Sequence, residues 1–461
     1  MLKEQKRSLS SSVPMTEGSL WKNILIFSLP LMLSQILQVL FNMADVAVVG
    51  KFSSSNAMGS VGSTSILVSL FTGFLIGMGS GVNVRVAQLL GAKRREDTEK
   101  SVHTALLLCI LTGVIISGLC IFSAEWMLQL IKTRDDLLDG AVLYFRIYAL
   151  GMPAMGVFNF GNGVMSANGD TRRPLMYLLT AGILNVIMNL FFVIVCGMAE
   201  DGVALSSVIS QYVTAVLILF HMFRDESECG LRLRKIRIWR GYSSQILILG
   251  IPAGIQNAIF AVANLFIQRA VNYFDTVMVN GNSAASNADT LIYNMMAAFY
   301  TACSSFMGQN LGAGRHGRVL KSYFICLIYS FVSAAVAGVL LRLFGREFLL
   351  LFTNEQAVVD AGMQKVSIMW WSFAISAFMD CTIAASRGLG KSMVPTIIVI
   401  MGSCVFRVTW VYTIFEHFHT IPSLYLLYSC SWTITAVAEI VYFAITYRKL
   451  RGRKKADGIS A

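Results

Sequence analysis

From Ile24 to Tyr447 the chain alternates between long apolar stretches and short polar connections. A bilayer core of about 30 Å is crossed by about 20 residues of α-helix, and a helix that is apolar on every side has no face suited to water. The pattern predicts twelve transmembrane helices, over 24–49, 60–84, 102–123, 141–165, 174–197, 203–223, 244–270, 284–308, 321–343, 359–385, 394–415 and 423–447. The expected fold is an all-α polytopic membrane protein.

The polar connections repeat. ILIFSLPLMLSQ in the first span matches ILILGIPAGIQN in the seventh, AQLLGAKRREDTEKSV after the second matches GQNLGAGRHGRVLKSY after the eighth, and SANGDTRRP after the fourth matches SRGLGKSMVP after the tenth. Pro30 with Pro252, Gly91 with Gly312 and Pro174 with Pro395 keep the register to within one residue over more than 200 positions. The twelve helices therefore fall into two pseudo-symmetric six-helix bundles. Six spans per half leave both halves in the same orientation, related by an axis along the membrane normal, which suits a central cavity opening to either side in turn.

Composition agrees: 56% of residues are hydrophobic and 13% charged, against about 25% charged in soluble domains. The net charge of +12 raises nucleic acid as a partner, but the basic residues sit in alternate connections. These are Lys93 to Lys100, Arg172 and Arg173, Arg224 to Arg240, Arg315 to Lys321, Arg387 and Lys391, joined by Lys3, Lys6 and Arg7 and by Arg448 to Lys455. That distribution is the positive-inside pattern, so the charge reads as topology, with both termini cytoplasmic and no nucleic-acid partner. The expected domains are an N-terminal tail over 1–23, bundles over 24–223 and 244–447, a basic linker over 224–243 and a basic tail over 448–461. The polar stretch Met1 to Lys22 ahead of a full-length span does not resemble a cleaved signal peptide.

Enzyme classes lack their residues. There are five His, no HExxH, no GxSxG and no GK[ST] after the glycine-dense GFLIGMGSG at 73–81, which is better explained by close helix packing. The nine cysteines show neither zinc-ligand nor disulfide spacing. No cofactor and no metal site are expected.

Asp45 lies within an apolar span, where a carboxylate costs about 2.5–3.5 kcal/mol on insertion scales and usually serves function. Asp380 and Glu439 are also inside spans, as is Arg407, for which pairing with an acidic residue such as Glu439 or with backbone carbonyls is expected. Met adapts its shape and aromatic rings attract cations, so FNFGNGVM (158–165) and YNMMAAFY (293–300) are candidate cavity linings. They supply Phe158, Asn162, Met165, Met295, Met296 and Phe299, with Met43 from the first span.

The sequence resembles the multidrug and toxic compound extrusion family, and its DinF-like branch in particular. The resemblance rests on Pro30 followed by Asp45 and Val48-Val49-Gly50, on GSGVNVRVAQLLGAKRRE, GDTRRP and LNVIMNLFF, and on GQNLGAG and RGLG in the second half. It implies a secondary transporter of the cell membrane, in a bacterium the inner membrane. Such a transporter exports small organic molecules, often cations, in exchange for protons, with Na⁺ as the alternative ion and a precursor-flippase as the rival reading. It further implies a coupling site of Asp45, Asn185, Asn189 and Ser207, a second candidate site at Asp380, a hinge at Pro30 and a monomer in the lipid bilayer. Position 189 departs from relatives that carry a second Asp there, which favours a proton over a cation.

Overall fold

The computed structural model describes residues 12–53 and 55–456, and among these every regular element is helical. Twelve membrane-length units follow one another. They are α1 (Leu20–Phe52), α2 (Ser55–Gly91), α3 (Arg95–Leu130), α4 (Asp135–Ala149 with Met152–Ala167), α5 (Arg172–Val195), α6 (Glu200–Arg224), α7 (Arg240–Val271), α8 (Thr276–Gly312), α9 (His316–Leu349), α10 (Gln356–Met369 with Ser372–Gly388), α11 (Met393–Phe418) and α12 (Ile421–Ala456). All twelve predicted spans are present. Most helices overrun the apolar stretch by several residues at each end, because a helix need not stop where the hydrocarbon does.

Three of the twelve units are not single long apolar helices. α4 and α10 are each bent between their two segments, by 45° and 54°. In α4 the break falls at Gly151, and Pro153 opens the second segment, where a missing N–H costs nothing. α8 is the third. It is not among the nine long apolar helices or the two bent pairs, since Asn280, Asn282, Asn287, Asp289 and Asn294 interrupt its hydrophobic face. Residues 448–456, expected as a tail, continue α12, while Lys3, Lys6 and Arg7 lie outside the described residues.

The repeat has a structural meaning. Pro30 and Pro252 sit inside α1 and α7, where a proline ring opens the preceding turn and loosens its carbonyls. Thr171 Oγ1 donates to the Phe27 carbonyl at 2.9 Å, and Ser392 Oγ donates to the Leu249 carbonyl at 2.9 Å. Each carbonyl lies three residues before its proline. Each hydroxyl comes from the repeated segment after α4 or α10. The third matched segment therefore caps the backbone that the first one disrupts.

The second matched segment joins the halves. Gln88 Nε2 of α2 donates to the Gly388 carbonyl of α10 at 3.0 Å, and Gln309 Nε2 of α8 donates to the Ala167 carbonyl of α4 at 2.6 Å. Between them Ser305 Oγ donates to Asn83 Oδ1 at 2.9 Å. A Cβ on Gly91 would strike the Gln309 carbonyl and one on Gly312 the Gln88 carbonyl, so glycine permits this approach. Further along α2, Gly77 lies against the backbone of Gly254 in α7. The segment before α1 closes over this end, with Met15 1% exposed, Asn310 Nδ2 donating to the Met15 carbonyl, and Arg318 donating to Gly18 and Glu17 carbonyls. The basic connection between α6 and α7 docks on the start of α3, through Lys235 to Glu99 at 2.8 Å and Tyr242 Oη to Asp97 at 2.5 Å.

Candidate functional site

Asp45 projects from α1 toward α5 and α6. Asn189 Nδ2 donates to its Oδ1 at 2.5 Å and Ser207 Oγ to its Oδ2 at 3.3 Å. Asn189 Nδ2 also reaches Asn185 Oδ1 at 3.3 Å, as two residues four apart on one helix face can. The four residues named from the sequence thus form one contiguous polar cluster inside the first half. Asn189 Oδ1 is buried without a donor among the described residues, and shortly after it Phe191–Val195 widens into a π-helical turn, a feature frequent at functional sites. Two tyrosines of α4, Tyr144 and Tyr148, stack at 5.9 Å within electrostatic reach of Asp45. Sequence reasoning missed them, although their spacing of four was the available signal.

The cluster is electrostatically simple: one carboxylate, two amides and a hydroxyl, all neutral except Asp45. Such a set can hold a proton on the carboxylate or offer oxygens to a hard cation. The corresponding place in α7 is Ile267, 5% exposed, so the second half lacks the charge.

The second half has charges of its own, arranged differently from expectation. Arg407 does not pair with Glu439. It stands among the rings of Phe260, Tyr428 and Trp432, at 5.7, 4.7 and 5.6 Å, and its Nε donates to Ser431 Oγ at 3.1 Å. The planar guanidinium finds in aromatic faces a partner that needs no desolvation of a carboxylate. Both carboxylate oxygens of Glu439 accept no hydrogen bond among the described residues. The cation whose field reaches Glu439 is Arg387. Arg387, expected in a basic connection, instead turns its Nη2 to Gln256 Oε1 of α7 at 2.9 Å. Asp380, 9% exposed, lies in the field of both arginines. Arg269 reaches Tyr412 Oη at 3.1 Å from its helix end, as a snorkelling side chain does.

The candidate lining residues divide. Met165, Met296 and Phe299 are 5%, 1% and 2% exposed and pack inside the helical cores, leaving no surface for a ligand in this conformation; Phe299 stacks on Tyr329 at 5.6 Å. Phe158, Asn162 and Met295 are half-buried, and Met43 is 39% exposed. The exposed polar positions on the four helices that meet across the halves went unnoticed in the sequence. Asn42 of α1, Ser65 and Ser69 of α2, Asn264 of α7, and Ser283 and Thr290 of α8 are all exposed. Ser283 and Thr290 donate to carbonyls of their own helix, but the amides of Asn42 and Asn264 would find no partner in hydrocarbon, so this band of exposed polar groups is read as lining a wet cleft between the halves. Among the described residues, Asp289 of α8 brings a paired charge to this band, its Oδ2 meeting Lys365 Nζ of α10 at 2.7 Å.

A family model described as MatE matches residues 30–191 and 252–413, two blocks beginning at the paired prolines. Among relatives, a probable multidrug resistance protein YpnP of Bacillus subtilis is 28% identical, covering 78% of this chain and 80% of its own. A probable multidrug resistance protein NorM of Thermotoga maritima is 24% identical, covering 86% of each. A solved multidrug resistance MATE family transporter in an outward-facing conformation superposes with a TM-score of 0.89 at 20% identity, over 96% of this chain and 99% of that one.

Proposed function

The chain belongs to the MatE family of multidrug efflux transporters, a multi-pass membrane protein that moves small molecules and is not an enzyme, and on that premise we propose that it is an antiporter. It exports organic compounds, often cations, in exchange for protons, with Na⁺ as the alternative ion. The two bundles, 24–223 and 244–447, rock about the basic linker 224–243 in alternating access. It works as a monomer in the plasma membrane of a bacterium with both termini in the cytoplasm, as the basic connections on one side suggest. The end sealed by Gln88, Gln309 and residues 13–18 is then the cytoplasmic one, and this conformer faces outward.

One observation carries the coupling proposal: among the described residues Asp45 has neutral hydrogen-bond partners and no paired cation to neutralise it permanently. A carboxylate in that setting is costly as an anion and can exchange a proton. The Asn189 Oδ1 that lacks a donor fits this reading, because an amide turned over would accept the proton of a neutral Asp45. Loading and unloading Asp45 changes how α1 packs on α5 and α6, and Pro30 gives α1 a place to bend. Asp380 is a second coupling candidate within the charged group of the other half. Met43 and Met295 are proposed to meet substrate. Efflux of a fluorescent organic cation from vesicles tests this under an imposed pH or Na⁺ gradient. Wild-type efflux should follow the pH gradient and Asp45→Asn should lose it; efflux that follows only the Na⁺ gradient would overturn proton coupling.

A further inference from the structure

We propose that Asp289 is a substrate-binding carboxylate for organic cations, kept occupied by Lys365 until a substrate displaces it. The proposal rests on reading the wet cleft as the path of organic cations.

The ion pair is lopsided. Of the Asp289 side chain 27% is exposed, of the Lys365 side chain 4%. On that reading the more open carboxylate faces the cleft, with the buried ammonium behind it. Removing one partner of a buried pair normally strands the other charge, but Lys365 has further support. Its Nζ donates to Ser286 Oγ at 2.8 Å and lies 5.7 Å from the centroid of the Tyr425 ring. That ring is held in place by Tyr425 Oη donating to Asn282 Oδ1 at 2.9 Å. Asp289 can therefore turn toward a ligand while the ammonium keeps a hydroxyl and an aromatic face.

The other carboxylates at depth are less suited. Asp45 is held by two donors inside the first half, and Asp380 and Glu439 are 9% and 0% exposed. One helical turn beyond Asp289 on the same face of α8 stands Tyr293, 49% exposed. A carboxylate and an open aromatic ring about 6 Å apart recognise a positive charge and a flat apolar body together, the description of an organic cation. A neutral compound would gain nothing from displacing Lys365, and an anion would meet the carboxylate first.

Equilibrium binding of tetraphenylphosphonium to the full chain purified in detergent tests the site, with thermal unfolding followed in parallel. Lys365→Met removes the competitor and should tighten binding about tenfold, and Asp289→Asn should weaken it about tenfold, the size of one close charge contact. The double exchange Asp289→Lys with Lys365→Asp restores an ion pair and should recover thermal stability without recovering binding, since an ammonium now faces the cleft. This exchange also decides the matter should a single variant fail to fold. Unchanged or weaker binding by Lys365→Met, or wild-type binding by the exchanged protein, overturns the Asp289 site alone. No binding by any variant overturns it together with the organic-cation reading. Since no gradient is imposed, the result does not depend on coupling at Asp45.

Discussion

Asp45 is the residue whose environment most constrains a mechanism. Its two partners are neutral donors, so Asp45→Asn keeps the shape of the cluster and removes only the exchangeable charge. Efflux driven by a pH gradient in vesicles should fall at least about tenfold while binding of an organic cation to the purified protein stays. Asn189→Asp tests the converse. It places a second carboxylate at hydrogen-bond distance from the first, and two like charges that close hold either a shared proton or a cation between them. That variant should acquire Na⁺-stimulated efflux, read by imposing a Na⁺ gradient at fixed pH. The cluster was legible because a lone acid in an apolar run is conspicuous and its partners share a helix face. Arg407 and Glu439 were misread because two opposite charges in neighbouring spans suggest a pair, whereas the register of α11 on α12 puts aromatic rings around the guanidinium. Span order does not set that register. It depends on how the π-helical turns Ile400–Val405 and Val411–Phe415 rotate the stretch between them.

At the scale of elements, the bends and breaks in the helices matter more than their lengths. The prolines of α1 and α7 were visible in the sequence, and so was the repeated segment after α4 and α10, but not that a hydroxyl of the latter caps a carbonyl loosened by the former. Thr171→Ala and Ser392→Ala should each cost about 1 kcal/mol, the net worth of a buried hydrogen bond, measured by thermal unfolding in detergent. Thr171→Ser should recover most of that loss. Equal losses from both would mark the two halves as equivalent here; a transport defect confined to Thr171→Ala would mark α1 as the helix that bends. The bend in α4 could be anticipated from Gly151 and Pro153. The one in α10 falls at Trp370 and Trp371, where neither residue type announces it.

For the whole molecule, the halves meet through backbone contacts too close for any side chain beyond glycine. Gly91→Ala and Gly312→Ala should wedge the terminus-bearing end open. Gln88→Ala should loosen the same end by removing one of two reciprocal amide bonds. Spin labels on Lys93→Cys and Gly317→Cys, in a background where the exposed Cys196 is replaced by serine, should report longer distances in all three variants than in the parent. Unchanged distances would mean that the seal is maintained by the segment before α1 and by the packing of α2 on α7.

The sequence by itself determined the number of helices, their grouping into two halves and the place of Asp45 within the first span. Span length and repeat register are local properties, written in apolar runs and matched motifs. Only the tertiary structure decided which face of each helix is buried against its neighbours. It placed Met165, Met296 and Phe299 in the core, surrounded Arg407 with rings and brought Lys365 against Asp289. A helix apolar on most sides carries no strong moment to orient it, so its rotation is set by close packing against neighbours distant in the chain.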